Sequence, residues 1–375
     1  MHVVKRLTVV AAAALLLAAP ARAGVPNVTA RAYYVVDAQT GDVLAQKNAN
    51  LRVPIASITK LMTVLVALDR PGPLTATVTV THDAAEVGES SINLHAGERL
   101  TVRELLEGAL IQSANDAADA LADRFGPGEA AFVAQMNAKA RELGLRGTHF
   151  ARPDGLDAPA HFSTARDVTK LAEAAMRIPA VRAIVRRRTA TITGGRTLHT
   201  WNDLLGQFRG LVGVKTGHTG GAGWCQVAEV RRDGLDVYAT ILGSPTRGQR
   251  NADLAALLRW AFAVERPAWV IAPKRVYVRV PTEYGRDPIP LVARRAVSRP
   301  VRIDRPLTER VVAPTATSLP VTRGQELGEI RVFSGTRLIA RQPLVAARSA
   351  DKPGFGGKIG FYTRRTVAHI GGWFS

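Results

Sequence analysis

The sequence predicts two folded domains, a mixed α/β domain and then a small all-β domain. Two observations predict this order. Strand patterns stand at both ends of the first 265 residues and enclose several helix patterns, whereas the segments after Pro267 are short, rich in β-branched residues and separated by turn residues. The chain of 375 residues is 46% apolar, which is enough for two cores.

The N-terminus has the order of residues that is typical of a secretory signal peptide. Basic Lys5 and Arg6 precede an apolar run from Leu7 to Ala19, and the small residues of Ala21-Arg22-Ala23 follow. The apolar run is too short for a membrane-spanning helix, which needs about 20 residues. We therefore expect residues 1–23 to be a signal peptide and the mature chain to work outside the cytoplasm.

The elements of the first domain, residues 24–265, can be assigned in order. It opens with two predicted strands, 33–37 and 43–47, and three more follow near its end, at 212–216, 224–231 and 237–242. Because strands stand at both ends of the domain, we expect them to share one sheet. Helices are predicted from Pro54 through Leu68, after a capping box from Thr101 to Glu104, from a cap at Asn115 or Asp116 to Gly126, over 129–143, from a cap at Thr164 to Arg177, and over 251–262.

The second domain, residues 266–350, lies in the most basic part of the chain. Its predicted strands are 276–280, 297–303, 329–333 and 338–343. Residues 266–375 contain 20 Lys and Arg against 7 Asp and Glu, a net charge of +13 out of +19 for the whole chain. In an exported protein this excess favours an anionic lipid or wall polymer as partner and argues against nucleic acid. The lone Cys225 is expected to be a small buried residue on a strand.

Ser57 and Lys60 form the first motif with a chemical meaning. Because they are three residues apart on a predicted helix, their side chains lie on one face. A serine hydroxyl is a weak nucleophile until a base removes its proton. A lysine can be that base when burial or nearby positive charge keeps it neutral. The spacing therefore predicts a serine nucleophile with a lysine base.

Two further motifs follow along the chain. Ser113-Ala114-Asn115 lies in a break between two predicted helices, where the serine can relay a proton and the asparagine can hold a substrate amide. Lys215-Thr216-Gly217 lies on a predicted strand. Its lysine and threonine can bind a carboxylate, and its glycine lets a substrate backbone approach the strand edge.

The first two patterns also occur where no function is expected. Ser349-Ala350-Asp351-Lys352 repeats the first pattern, but it stands beside Pro353-Gly354, where no helix can carry it. Ser91-Ile92-Asn93 repeats the second pattern in a predicted loop. The prediction therefore depends on order and context. Only in the set at 57, 113 and 215 does the first motif open a helix, the second join two helices and the third lie on a strand.

These three motifs in this order are those of class A β-lactamases and penicillin-binding proteins. The chain resembles the low-molecular-mass penicillin-binding proteins of the serine D-alanyl-D-alanine carboxypeptidase type over nearly its whole mature length. The resemblance implies a transpeptidase-like domain, with an antiparallel sheet flanked by helices, followed by a small β-sandwich. The similar stretches are Pro54 to Thr63, Ser113 to Ala117, His149 to His161, Val214 to Thr219 and Thr322 to Gly328, while Asp203 departs from a pattern in which a basic residue is common nearby.

The resemblance also implies the chemistry. Ser57 attacks the carbonyl between two terminal D-alanines with Lys60 as its base, and water later hydrolyses the acyl-enzyme. The implied partners are peptidoglycan stem peptides and β-lactam antibiotics, and no cofactor or metal is implied. The other roles are proton transfer to the leaving amine by Ser113, orientation of the peptide by Asn115, binding of the terminal carboxylate by Lys215 and Thr216 beside Gly217, and an oxyanion hole made by the backbone N–H groups of Ser57 and His218.

Other classes of protein fit the sequence less well. A class A β-lactamase needs a glutamate for deacylation, and none of Glu129, Glu142 and Glu173 has the asparagine four residues later that such enzymes have. No H-E-x-x-H pattern supports a metallopeptidase, and no G-x-S-x-G pattern supports a conventional serine hydrolase. An endopeptidase that cuts cross-links with the same residues stays open. The intact motifs argue against a wall-binding or sensor protein that has kept the fold of the enzyme but lost its activity.

The tail, residues 351–375, resembles the amphipathic membrane anchor of the same family. Its apolar residues recur at spacings of three and four, and its basic residues lie largely elsewhere, which favours a helix in the membrane interface. A helix packed on the β-domain is the alternative, and three glycines weaken any helix there. We expect the enzyme on the outer face of the cytoplasmic membrane. The positions that fall on this face are Ile359, Tyr362, Thr366, Ile370 and Trp373.

Overall fold

A computed structural model describes residues 7–15, 24–283, 286–352 and 354. The described chain falls into two compact units. The first comprises residues 24–263, and the second comprises residues from 264 onward together with strand β1 (Leu7–Leu15). The predicted cleavage point after Ala23 and almost all of the predicted anchor lie outside the described residues.

The first unit is a mixed α/β domain. Its strands are β2 (Ala32–Asp37), β3 (Val43–Lys47), β4 (Thr77–Thr79), β5 (Arg99–Thr101), β6 (Thr189–Ile192), β7 (Arg196–His199), β8 (Leu211–Thr219), β9 (Gly223–Arg232) and β10 (Leu235–Ser244). Its helices are a 3₁₀ turn (Ala56–Thr59), α1 (Lys60–Leu68), α2 (His82–Ala85), α3 (Val102–Glu107), a π-helical turn (Gly108–Gln112), α4 (Asn115–Phe125), α5 (Glu129–Glu142), α6 (Ala165–Met176), α7 (Pro179–Val185), a second 3₁₀ turn (Thr193–Gly195) and α8 (Arg247–Val264).

Five of these strands form one antiparallel sheet in the order β3-β2-β10-β9-β8. The prediction that strands from both ends of the domain share a sheet is therefore confirmed. The inner strands β9 and β10 are buried over most of their length, and α6 packs against β2 and β10. Strand β8 is at the edge of the sheet, which leaves room for an extended peptide beside it.

Helix α1 is the centre of the helical layer. Every residue from Lys60 to Ala67 is buried, because α4, α5 and α6 all pack around it. A charged residue at the start of such a helix loses its contact with water, so the fold itself places Lys60 in a low-dielectric site.

Most predicted elements of this unit are confirmed within a few residues, and the differences have local causes. Thr101 and Glu104 do form a capping box, and Thr164 does cap α6. The N-cap of α4 is Ala114, whereas Asn115 or Asp116 was predicted. The side chains of both are used elsewhere: Asn115 binds Lys60, and Asp116 accepts hydrogen bonds from the loop at Ile92 and Leu94. The paired strands β4 and β5, the hairpin β6–β7 and the helices α2 and α7 were not predicted.

The second unit is all β, as predicted. A six-stranded antiparallel sheet has the order β1-β15-β16-β17-β13-β12, and β11 pairs with β14 as a separate ribbon. Its core contains Ile271, Leu291, Ile330 and Leu344, which are fully buried. The strands are β11 (Glu265–Ile271), β12 (Val276–Val280), β13 (Ile289–Ala293), β14 (Val297–Arg302), β15 (Leu307–Pro314), β16 (Glu326–Ser334) and β17 (Arg337–Ala346).

Strand β1 comes from the segment predicted to be a signal peptide. It pairs with β15 in antiparallel register, with Leu7 opposite Pro314 and Leu15 opposite Leu307. The signal peptide stays a prediction about the exported chain. In the described residues no helix combines the length and the apolarity that a membrane crossing requires.

Candidate active site

Ser57 lies in the 3₁₀ turn that leads into α1, and this turn is held under unusual constraints. Ala56 has a φ of +51°, a left-handed conformation that is rare for residues with a side chain. Two glycines press against the turn: a Cβ at Gly155 would lie 2.3 Å from the carbonyl oxygen of Ala56, and one at Gly217 would lie 3.1 Å from the nitrogen of Ser57. Backbone strain that the surroundings enforce is a common feature of functional sites.

Lys60 is fully buried and binds three oxygen atoms. Its Nζ lies 2.9 Å from Ser57 Oγ, 2.6 Å from Asn115 Oδ1 and 2.6 Å from the carbonyl oxygen of Asp154. Burial lowers the pKa of Lys60 to about 8, and the nearby charges of Asp154 and Asp119 partly oppose this effect. The predicted serine and lysine pair is therefore in hydrogen-bond contact. With this lowered pKa, a fraction of the Lys60 amine is neutral at pH 7.

The second motif follows the π-helical turn that extends α3. Ser113 ends this turn with a φ of 66°, and π-helical turns are frequent at functional sites. Asn115 begins α4; its Oδ1 accepts a hydrogen bond from Lys60, and its Nδ2 donates one to the carbonyl oxygen of Gly88 at 2.8 Å. Both residues thus face the site from the helical layer.

The third motif lies on the edge strand β8. Lys215 Nζ donates to Ser113 Oγ at 2.8 Å and to the carbonyl oxygen of Thr216 at 2.9 Å, so the strand and the helical layer are joined across the site. Burial lowers the pKa of Lys215 well below its usual range, and the positive charges of Lys60 and Arg250 act in the same direction. An anion bound here would restore the charged state of Lys215.

Gly217 makes a close contact that the sequence did not predict, and the predicted approach of a substrate backbone to it stays a prediction. A Cβ at this position would lie 2.8 Å from the carbonyl oxygen of Ile55 and 3.1 Å from both Ala56 Cβ and Ser57 N. On the side where a Cβ would point, the space next to Gly217 is thus filled by the turn that carries Ser57. Its task in the fold is to bring the nucleophile against β8.

A cleft lies over these groups. His218 stacks on Trp224 with ring centroids 4.0 Å apart, and Trp201 donates from its ring nitrogen to the carbonyl oxygen of Gln112. Apolar walls with a few polar groups at the base are typical of substrate clefts. The residues that line the cleft are Ser57, Glu89, Ser90, Ser113, Asn115, Leu156, Trp201, Thr216, Gly217, His218, Thr219, Trp224 and Arg250.

Arg250 is a residue of the cleft that the sequence does not predict. It is only 1% exposed yet lines the cleft, and burial lowers its pKa to about 10. Asp203 accepts hydrogen bonds from Arg250 at 3.1 Å and from Arg247, both on α8. Asp203, which departed from the expected basic pattern, therefore holds arginines that come from a distant helix.

The loop from Ala151 to Asp157 closes the site on a further side. Arg152 binds both carboxylate oxygens of Asp154, which in turn accepts from the Leu156 N–H at 2.8 Å. Asp157 accepts from Thr219 Oγ1 and from the Gly221 N–H, which ties the loop to the end of β8. These carboxylates hold the backbone carbonyl of Asp154 in place for Lys60.

His161 supports the nucleophile turn from beneath. The N–H of Ala151 donates to its Nδ1 at 3.1 Å, so Nε2 carries the proton and donates to Thr59 Oγ1 at 2.8 Å. Burial lowers the pKa of His161 to about 4, which keeps the ring neutral at pH 7. The stretch around His161 is one of those that carry the family resemblance, and the sequence alone predicts no role for this side chain.

The repeated patterns lie outside this site. Ser349 accepts a hydrogen bond from the Arg323 N–H and is not in a helix, while Ser91 lies in a loop and donates to Asp116. Cys225 is buried on β9, as predicted, and burial raises its pKa to about 11. Among the described residues no group of three or more His, Cys, Asp and Glu side chains is arranged to hold a metal ion.

The geometry can now be compared with known proteins. A family model described as D-alanyl-D-alanine carboxypeptidase matches residues 19–246. The chain belongs to this family. Among related D-alanyl-D-alanine carboxypeptidases, DacC of Escherichia coli (strain K12) is 32% identical over 93% of this chain and 92% of its own. DacF of Bacillus subtilis (strain 168) is 30% identical over 87% of each chain.

Solved structures agree with this family assignment. The Streptomyces K15 DD-transpeptidase is 35% identical, with a TM-score of 0.61 over 64% of this chain and 99% of its own. Penicillin binding protein 5 from Haemophilus influenzae is 25% identical, with a TM-score of 0.66 over 87% of this chain and 99% of its own. The predicted fold class, a transpeptidase-like domain followed by an all-β domain, is confirmed for this D-alanyl-D-alanine carboxypeptidase family member.

Proposed function

We propose that this chain is a serine D-alanyl-D-alanine carboxypeptidase that removes the terminal D-alanine from peptidoglycan stem pentapeptides. The observation that carries the proposal is the buried Lys60 amine 2.9 Å from Ser57 Oγ, at the base of an open cleft. The chemistry uses side chains and backbone alone and requires no metal or cofactor.

The partners of Lys60 explain how it acts as the base. The carbonyl oxygens of Asn115 and Asp154 can only accept, so each takes one N–H of the amine. A neutral amine then has its lone pair left for the third partner, the hydroxyl of Ser57. As Ser57 attacks the substrate carbonyl, Lys60 takes its proton and becomes an ammonium that already has three acceptors.

The far end of the substrate is bound by cations. The terminal carboxylate would meet Thr216 and the positive charges of Lys215 and Arg250. Ser113, whose oxygen is held by Lys215, would pass a proton to the leaving D-alanine. These groups favour a substrate that ends in a free carboxylate, as a carboxypeptidase requires.

Negative charge develops on the oxygen of the substrate carbonyl when Ser57 attacks, and hydrogen-bond donors that are already in position stabilise it. The backbone N–H groups of Ser57 and His218 are the proposed pair, because Gly217 brings the Ser57 turn against β8. A removed donor of this kind costs about 10²–10³ in rate in other acyl-transfer enzymes. Water then hydrolyses the acyl-enzyme, with Lys60 again as the base.

β-Lactams would acylate Ser57 in the same way and be released slowly. Ser57→Ala should abolish covalent labelling by a fluorescent penicillin, while Ser349→Ala should leave it unchanged, because Ser349 has no lysine partner on a helix. Undiminished labelling of Ser57→Ala would show that Ser57 is not the nucleophile.

The alternative function is a D-alanyl-D-alanine endopeptidase that uses the same residues to cut cross-links. Purified enzyme should be incubated separately with a pentapeptide and with a cross-linked dimer. Release of D-alanine from the pentapeptide at the faster rate supports the carboxypeptidase. Faster cleavage of the dimer would replace it with the endopeptidase.

The proposed site of action is the outer face of the cytoplasmic membrane. Export is supported by the N-terminal segment, and tethering by the apolar and basic residues of the tail. Deletion of residues 353–375 should release the mature enzyme from membranes and leave peptide cleavage intact, since every catalytic motif precedes Pro267. A truncated enzyme that stays with the membrane fraction would show that the tail is not the anchor.

A further inference from the structure

Glu89 is the one acid among the residues that line the cleft in the described part of the chain. Its side chain is exposed, and among the described residues its carboxylate accepts no hydrogen bond and belongs to no ion pair. Glu89 precedes Ser113 and reaches the cleft through a loop.

The backbone of Glu89 is held in a conformation that residues with side chains avoid. Its φ is +64°, where glycine is favoured. Asn115 fixes the chain on both sides: its Nδ2 donates to the carbonyl oxygen of Gly88 at 2.8 Å, and its backbone N–H donates to that of Ser90 at 2.7 Å. The acid is therefore attached rigidly to the same Asn115 that binds Lys60.

The other charges of the cleft decide which part of a substrate would meet this acid. Arg250 lines the cleft, and Lys215, which donates to the cleft residue Ser113, would become charged when the terminal carboxylate binds. Glu89 would repel that carboxylate, so the group that it faces belongs to the acyl side of the scissile bond. Its charge also reaches the reaction centre, because it raises the pKa of Lys60.

We propose that Glu89 forms a subsite for a primary ammonium group on the acyl side of the scissile bond. The enzyme then prefers peptides and β-lactams whose acyl part carries a free amine over the same compounds with that amine blocked. This inference rests on the proposed function and names a feature of its substrate. The attraction acts at an exposed rim, so it gives a modest preference that salt weakens.

Two peptides that end in D-Ala-D-Ala test the proposal, one with a free lysine amine before the D-alanines and one with that amine acetylated. For the wild type we expect kcat/KM to be about threefold to fivefold higher for the free amine at low salt. This ratio should approach one at about 0.5 M salt. Glu89→Gln should bring it to about one at low salt, whereas Glu86→Gln, an exposed acid of the same region outside the cleft, should leave it unchanged.

Acylation by ampicillin and by benzylpenicillin is a second test that does not depend on peptide cleavage, because the two differ by an amine on the acyl side chain. If the wild type cleaves neither peptide, the proposed function fails, and the ratio of the two acylation rates still tests Glu89. A wild-type ratio near one, or a ratio that Glu89→Gln leaves unchanged, would overturn the proposal. Slower deacylation of both β-lactams alike in Glu89→Gln would also overturn it and assign Glu89 to the deacylation step.

Discussion

At the scale of single residues, the proposed chemistry depends on the charge of one buried amine. Lys60 is a base only when neutral, and burial lowers its pKa to about 8. The neutral fraction grows as pH rises, so the rate of acylation by penicillin should increase about tenfold per pH unit below 8 and become constant above it. Stopped-flow acylation between pH 6 and 9.5 measures this. A rate that does not change over that range would contradict the role of Lys60.

Lys60→Arg gives a matched test of the same residue. A guanidinium keeps its positive charge but stays protonated at every pH of the assay, so acylation should fall below detection. Lys139→Arg is the control, because Lys139 is paired with Asp69 away from the cleft and should change neither the rate nor its pH dependence. Substantial acylation by Lys60→Arg would mean that charge, and not proton transfer, is what this position supplies.

At the scale of elements, the nucleophile depends on how closely the 3₁₀ turn approaches strand β8. Gly217→Ala would place a methyl group 2.8 Å from the carbonyl oxygen of Ile55, so the turn or the strand must move. We expect acylation to fall by about 10²-fold or more, because small displacements of reacting groups cost rates of this order. The second-order rate of acylation by a fluorescent penicillin measures this effect.

Gly220→Ala is the control for that variant, because it adds the same methyl group just beyond β8 with nothing within 4 Å of it. Its acylation rate and melting temperature should match those of the wild type. Should Gly217→Ala acylate normally, the close approach of the turn and the strand would not be needed for catalysis.

Elements also show where reading the sequence succeeded and where it could not. Ser57 and Lys60 were predictable because three residues on a helix fix their distance locally. Arg250 was not, because only the packing of α8 beside Asp203 brings it to the cleft. Glu89 was missed for a similar reason, since hydrogen bonds from Asn115 hold its loop at the cleft. Contacts between distant segments leave no periodic pattern in the sequence.

At the scale of the whole molecule, the division into a mixed domain and an all-β domain was predictable. The sequence changes after Pro267 from mixed helix and strand patterns to short β-branched segments separated by turn residues. These patterns did not reveal that an ionisable side chain is buried inside the sheet of the first domain. Glu229 on β9 is fully buried opposite Tyr238 of β10, and Arg231 Nε lies 2.5 Å from its Oε1. A carboxyl inside a sheet is costly when ionised, so it links the stability of the domain to pH.

That link gives a prediction with a definite sign. Burial, and then the charge of Asp236, raises the pKa of Glu229 above its usual range, while Arg231 opposes the shift. A raised pKa in the folded state means that the stability is fully present below the unfolded value and is lost as pH rises towards the folded value. We expect the free energy of unfolding to fall as pH rises above about 4.5, because this carboxyl then loses its proton inside the sheet.

Glu229→Gln removes the charge and keeps the shape, so it isolates this contribution. Thermal unfolding of the first domain should show a melting temperature that declines from pH 5 to pH 7.5 in the wild type and declines less in Glu229→Gln, by several degrees. The exposed Glu86→Gln should follow the wild type, because its carboxylate stays in water in both states. Parallel curves for the wild type and Glu229→Gln would show that Arg231 neutralises the buried carboxylate at every pH, and the proposed link between the sheet and pH would then be wrong.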